Sequence, residues 1–351
     1  MTSAAERICV VDGLVKAAIG CLALLLVAAC SRPAEPVTFS GTTMGTVWTV
    51  RVTELPDGVS GPELREQIEA VLEQVNAEMS TYRADSVITA FNQSEAGARV
   101  VLPPGFAQVL EEALYWARVT DGAFDPTAGL LVNLWGFGPP MRPDEAPGRE
   151  EIQRALENVG WWRLSFDSES RELTQPGGVY LDLSAIAKGW GVDQVAEYLG
   201  DAGVAGFLVD IGGDLRARGL RPDGQRWRVA IERPRPGARD VHDVIGLEAV
   251  ALATSGDYRN FFEVDGRRVS HLIDPRTGSP IVNDTVSVTV AHQRCTTADA
   301  LATALSVLSF EQGWALALER DLAVLWMLVD GDELVERITP AFARLIEHGA
   351  L

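Results

Sequence analysis

Basic residues and cysteine are scarce in this chain of 351 residues. It carries 30 lysines and arginines against 49 acidic residues, a formal charge of −19. That imbalance argues against a nucleic-acid binder, which needs cations to displace phosphate counterions. It leaves phosphate-bearing ligands open, because a bound divalent cation inverts the local field. The G-x-x-x-x-G-K phosphate loop is absent as well. Of only four cysteines, Cys9, Cys21 and Cys30 fall within the first thirty residues, leaving Cys295 alone in the body. The even count suggests a disulfide framework, but their placement argues against it.

The apolar stretch Ala17–Ala29 has thirteen residues and follows Lys16. As a helix it would span about 20 Å, short of a bilayer core but the right length for a signal-peptide hydrophobic region. Its end, Leu26-Val27-Ala28-Ala29-Cys30, resembles the lipobox of bacterial lipoproteins. The resemblance implies cleavage before Cys30, lipid on Cys30, and a tether through Ser31-Arg32-Pro33-Ala34-Glu35-Pro36. The expected organisation is a signal peptide over 1–29, a lipidated tether over 30–37 and a functional domain over 38–351. The expected location is the periplasmic face of the inner membrane, with Ser31 leaving the outer membrane open. Several acyl chains would make a stable anchor. Residues 1–29 hold two acids and two bases, so the whole charge of −19 sits in the remainder.

A hydrophobic content of 47% excludes a wholly disordered chain. At roughly 100–200 residues per domain the length allows one large unit or two lobes. The spacing predicts a strand or hairpin over 37–53 and a helix over 62–79 capped at Ser60 or Gly61. Further helices are predicted over 103–120, 149–159, 185–199, 296–308, 311–319 and 340–347. Strands are expected at 162–166, 179–183, 206–210, 227–231, 249–253, 286–291 and 323–329. Asp265-Gly266 predicts a hairpin between 261–264 and 268–273, and Asp330-Gly331 another. This is an α+β mixture of largely antiparallel strands with flanking helices, not a βαβ series.

Several groups of residues have chemical promise. Asp299 and Thr303 share one helix face a turn apart, as hard oxygen donors suited to Mg²⁺ or as helix-start polarity. Leu181–Gly189 passes from apolar residues into a helix whose free N–H groups and Lys188 would welcome an anion. A capped helix with a solvent lysine reads equally well. His271 precedes Asp274 by three residues and faces Ser255-Gly256-Asp257-Tyr258 across the predicted hairpin. It is a proton acceptor or a turn-stabilising ring. The fragments Asp125-Pro126-Thr127-Ala128-Gly129 and Asp274-Pro275-Arg276-Thr277-Gly278 share D-P-x-x-G, which is ordinary turn chemistry or a pair of turns at one ligand.

Taken together, these segments resemble the ApbE family of FAD:protein FMN transferases over about 40–310. The resemblance rests on Thr43-Met44-Gly45-Thr46, Ser80-Thr81-Tyr82-Arg83 with Phe91-Asn92, and Gly122-Ala123-Phe124-Asp125-Pro126. It continues through Leu181–Gly189, Asp210–Asp214, Ser255–Tyr258, Ser270–Gly278 and Thr297–Ala304. It implies a single ApbE-like, T-fold-like unit. It also implies transfer of the FMN half of FAD to a Thr or Ser hydroxyl of an acceptor protein, with release of AMP. By the same resemblance the Ala185 carbonyl, Asp299 and Thr303 hold Mg²⁺. Met44, Tyr82, Ala123, Phe124 and Asp125 line the flavin site, while Asp182, Lys188 and the backbone near Ile273 complete FAD binding. His271 is the implied base with Asp257 nearby, and a membrane redox subunit is the implied acceptor. The rival readings are FAD hydrolysis to FMN and AMP, a non-catalytic lipid-anchored flavin-binding maturation partner, and a structural lipoprotein.

Overall fold

The computed structural model describes residues 35–139, 146–234, 240–256, 261–264, 267–331, 333–349 and 351. Cys30, Asp257 and the Asp265-Gly266 turn lie outside the described residues.

Eight strands pair in chain order into one antiparallel sheet: β1 (Val37–Thr43), β2 (Thr46–Val52), β3 (Phe207–Ile211), β4 (Asp214–Arg218), β5 (Ala249–Gly256), β6 (Thr285–His292), β7 (Ala323–Asp330) and β8 (Glu333–Ile338). Because side chains alternate across a strand, each inner strand supplies two cores. On one face Val209, Ile211 and Ala251 meet the helices α1 (Gly61–Met79) and α3 (Ala187–Asp201). Farther along that face Ala253, Val288, Val290 and Trp326 meet α2 (Pro104–Val119) and α4 (Cys295–Val307). On the other face Leu208, Leu215, Leu252 and Leu325 pack on the hairpin Trp227–Arg233/Asp240–Leu247 and the helix Pro340–His348. Burying side chains of this size contributes about 1.5–3 kcal/mol each. No helix among the described residues is long and apolar enough to cross a membrane.

Local chemistry explains the element ends. Ser60 and Glu63 form a reciprocal capping box at the start of α1. Leu64, Ile68, Leu72, Val75 and Met79 then recur on its buried face. Helix α2 stops where Asp121 and Gly122 adopt left-handed φ of 50° and 76°.

Two expectations need correction. The segment 179–183 is no strand, since only Tyr180 makes an isolated bridge, to Ala128. Its backbone is satisfied otherwise: the Asn92 side chain accepts from the Leu181 N–H at 2.7 Å and donates to the Leu181 carbonyl at 2.9 Å. The Asp182 N–H donates to the Pro126 carbonyl at 2.8 Å. A side-chain amide thus replaces a neighbouring strand. Residues 161–163 form a short 3₁₀ turn, and the strand begins only at Ser165. Strands 214–218 and 240–247 were not expected at all.

Candidate functional site

The site lies at the end of the sheet where the β1–β2 and β3–β4 turns and the end of β5 converge. Met44-Gly45 is a two-residue hairpin loop with φ of 48° and 72°, a left-handed pair that twisted hairpins favour. A non-glycine residue held there carries strain, and the Met44 side chain borders the cleft. The β3–β4 turn, Gly212-Gly213, also has positive φ at both residues, 64° and 101°. The Gly213 N–H donates to Asp210 at 3.0 Å. Burial raises the Asp210 carboxyl above its ordinary range, against the pull of that hydrogen bond and of Arg51.

Helices α3 and α4 cap one another. Asp193 of α3 accepts from the Cys295 and Thr296 N–H groups at 3.0 and 2.9 Å, at the start of α4. Asp299 of α4 accepts from the Gly189 N–H at 2.9 Å, near the start of α3. Each carboxylate sits where the partner helix presents unpaired donors and positive dipole. The exchange requires a close crossing, and Gly189 supplies it: a Cβ there would lie 2.4 Å from the Cys295 carbonyl oxygen. Cys295 is buried with a free thiol.

Asp299 therefore does not serve its own helix start. Its carboxylate, 3% exposed, also accepts from Lys188 Nζ at 3.2 and 3.3 Å. Lys188 is no solvent lysine, because the same ammonium is bonded to the equally buried Asp214. Burial pushes the Asp214 carboxyl up to about 7, the nearby Asp299 charge adds to this, and Lys188 opposes it. For Lys188 burial pulls downward, but the two carboxylates outweigh it and hold the ammonium protonated. One turn after Asp299, the Thr303 hydroxyl pairs with Ser255 at 3.1 Å. Asp299, Thr303 and Ala185 all border the cleft. A carboxylate, a hydroxyl and the Ala185 carbonyl are hard oxygens, a donor set that fits Mg²⁺.

The D-P-x-x-G fragments make matching turns at this cleft. Asp125 Oδ1 accepts from the Thr127 N–H at 2.8 Å, and Asp274 Oδ1 from the Arg276 N–H at 2.9 Å. The other Asp125 oxygen accepts from the Trp161 N–H at 2.9 Å. Burial raises the Asp125 carboxyl, and these hydrogen bonds counter it. Asp274 is committed to its own turn and to the Arg276 guanidinium at 2.8 and 2.9 Å. The His271 ring lies edge-on to Phe137, with centroids 6.2 Å apart.

The cleft encloses about 910 Å³ and gathers Met44, Ala123, Phe124, Asp125, Asp182, Ala185, Lys188, His271, Ile273, Asp299 and Thr303. Tyr82 stands at the rim, 68% exposed, and its hydroxyl donates to the carbonyl of the cleft residue Phe137 at 3.1 Å. Partial desolvation of the hydroxyl at the rim, with Asp182 and Tyr180 nearby, raises it above the ordinary value. Sequence reasoning missed Arg51 and Arg228, which bring positive charge to the cleft wall. No local motif marks either, although both alternate outward along strands. It also missed the ion pair between Lys188 and Asp214, which are 26 residues apart.

Oxygen donors, a half-buried cation and an apolar shelf share one open cleft, a combination suited to a planar aromatic ligand bearing phosphate. The chain belongs to the ApbE family, whose model matches residues 44–326. It is 44% identical over 321 residues to the FAD:protein FMN transferase of Vibrio cholerae serotype O1, covering 91% of this chain and 95% of that one. The corresponding protein of Escherichia coli K12 is 35% identical over 311 residues, 88% of each chain. Among solved structures, flavin transferase ApbE from Vibrio cholerae superposes with a TM-score of 0.83 at 42% identity. That match covers 89% of this chain and 99% of the other. The apo flavinyl transferase ApbE of Pseudomonas stutzeri gives 0.82 at 39% identity, covering 90% and 98%.

Proposed function

We propose that this chain is an FAD:protein FMN transferase. It moves the FMN half of FAD onto a Thr or Ser hydroxyl of an acceptor protein and releases AMP. The observation that carries the reading is the convergence of Asp299, Thr303, Ala185, Lys188 and His271 on one cleft with Met44, Phe124 and Ile273. The relatives' names support the same reaction.

In the reaction, the acceptor hydroxyl oxygen forms a bond to the FMN phosphorus as the pyrophosphate bridging bond breaks, and AMP leaves with that bridging oxygen. The His271 ring takes the hydroxyl proton. Met44 and the Ala123-Phe124-Asp125 turn form the shelf for the flavin, with Tyr82 at the rim free to stack on it. Asp182 and the backbone at Ile273 border the rest of FAD. Asp299, Thr303 and the Ala185 carbonyl would hold Mg²⁺, which when bound neutralises charge on the phosphoryl oxygens.

The proposal extends to placement. Residues 1–29 serve as a signal peptide and Cys30 takes lipid. The domain over 38–351 then works at the periplasmic face of the inner membrane, on a membrane redox subunit. What supports this is the apolar stretch Ala17–Ala29 followed by the lipobox-like sequence ending at Cys30. Labelled palmitate should enter the wild-type protein and not Cys30→Ser; equal labelling would end that part of the proposal.

The activity test incubates the protein with FAD, Mg²⁺ and an acceptor carrying the hydroxyl. Covalent FMN on the acceptor with one AMP per flavin is expected. FMN and AMP free in solution, with the acceptor unmodified, would establish hydrolysis instead. Bound FAD with no product would establish a binding role.

A further inference from the structure

Lys188 is the only lysine after Lys16 in a chain whose other cations beyond that point are arginines. Its compact ammonium is a point charge shared between two carboxylates. It also stands in the first turn of α3, where the helix dipole disfavours a cation. Something must hold it there.

Two carboxylates share it, unequally. The bond to Asp214 is the shorter, while Nζ straddles both Asp299 oxygens at 3.2 and 3.3 Å. Asp214 is fixed at the mouth of β4 by the Gly212-Gly213 turn, and its other oxygen faces the Thr254 N–H at 3.4 Å. With no Asp214 charge, the ammonium has one partner left. It would tighten on Asp299, whose oxygens it already contacts at 3.2 and 3.3 Å, and compete more strongly with the proposed metal. Asp214 and Asp299 are each only 3% exposed and Lys188 is half-buried, so water screens the carboxylate side of both pairs weakly.

We infer that Asp214 is a positioning residue for the metal site: it takes a share of the Lys188 ammonium and so weakens that ammonium's competition with a divalent cation for the Asp299 carboxylate. This rests on the reading of Asp299 as a metal ligand. Asp214 acts on the metal only through Lys188, and that indirectness separates the idea from direct ligation.

The test is calorimetric titration of the full chain, free of FAD, with Mg²⁺ alone at about pH 8. Asp214→Asn should bind Mg²⁺ about tenfold more weakly than wild type, the scale of one redirected charge-assisted hydrogen bond. Asp214→Asn combined with Lys188→Met should recover to within about threefold of wild type. Lys188→Met alone should bind at least as tightly as wild type, since both carboxylates then lack a counter-charge. Unchanged affinity in Asp214→Asn would overturn the inference. So would a double variant as weak as Asp214→Asn, which would make Asp214 itself a ligand, or a weakened Lys188→Met. Asp299→Asn reports separately: wild-type Mg²⁺ affinity there removes the metal reading beneath the inference. A melting curve of each variant accompanies the titration, and Asp214→Ser takes the place of Asp214→Asn, with the same expected and overturning results, if Asp214→Asn does not fold.

Discussion

Replacing Gly189 by alanine sets two physical effects of opposite sign against each other. In an exposed helix, Gly→Ala gains about 1 kcal/mol from propensity. At this position the new Cβ would stand 2.4 Å from the Cys295 carbonyl oxygen, 2.7 Å from the Cys295 carbonyl carbon and 2.8 Å from Asp299 Cβ. Two of those atoms are backbone, so no rotamer change relieves the overlap and the helices must part. Overpacking of that kind costs about 1–3 kcal/mol. Parting also lengthens the Gly189 N–H to Asp299 bond, now 2.9 Å, and weakens one half of the reciprocal cap. The cap loss adds about 1 kcal/mol, so the net expectation is a destabilisation of about 1–3 kcal/mol. Urea unfolding of wild type and Gly189→Ala, with linear extrapolation, measures it. A stability equal to or above wild type would show that helix propensity decides at this crossing and would refute the packing argument.

His271→Ala should lose transfer while FAD binding, followed by flavin fluorescence, remains within about threefold. Wild-type transfer across neutral pH in that variant would remove His271 as the base. The metal-free protein should lose stability as pH rises from about 4 toward about 7, because unfolded Asp214 gives up its proton near 4 while the folded group keeps it until about 7. Over that window the folded state binds more protons, so urea curves for wild type should fall relative to Asp214→Asn; parallel pH profiles would sink the claim. Asn92→Ala should destabilise by about 2–4 kcal/mol, since it strips the buried Leu181 N–H and carbonyl of their partners at 2.7 and 2.9 Å. A loss under 0.5 kcal/mol, roughly the level of an ordinary surface change, would argue that water replaces the amide.

What could be read from the sequence was what repeats locally. Leu64, Ile68, Leu72, Val75 and Met79 mark their helix through spacing alone, and the helix ends where expected. The i,i+4 relation of Asp299 and Thr303 likewise put two oxygens on one face, and both border the cleft. Hydrogen bonds made at a distance could not be read. Leu181 looked like strand because its apolar context is strand-like, yet its partner is a side chain 89 residues away. Strand 214–218 hid behind its charges, whose explanation is tertiary: Asp214 meets Lys188, and Arg216 meets the buried Asp193 at 2.8 Å. The same distance made Asp299 look like a cap for its own helix when it caps another.

The rarity of lysine has a practical meaning for anyone handling the protein. A chain that carries its ε-amino groups only at Lys16 and Lys188, with Lys188 locked between two carboxylates, offers amine-directed reagents almost no target in its folded body. Cross-linkers and surface-immobilisation chemistries built on primary amines will capture it poorly, whereas carboxylate-directed ones have many sites. The same rarity is useful in spectroscopy. Isotope placed in lysine alone reports, from the body of the protein, a single side chain at the heart of the cleft.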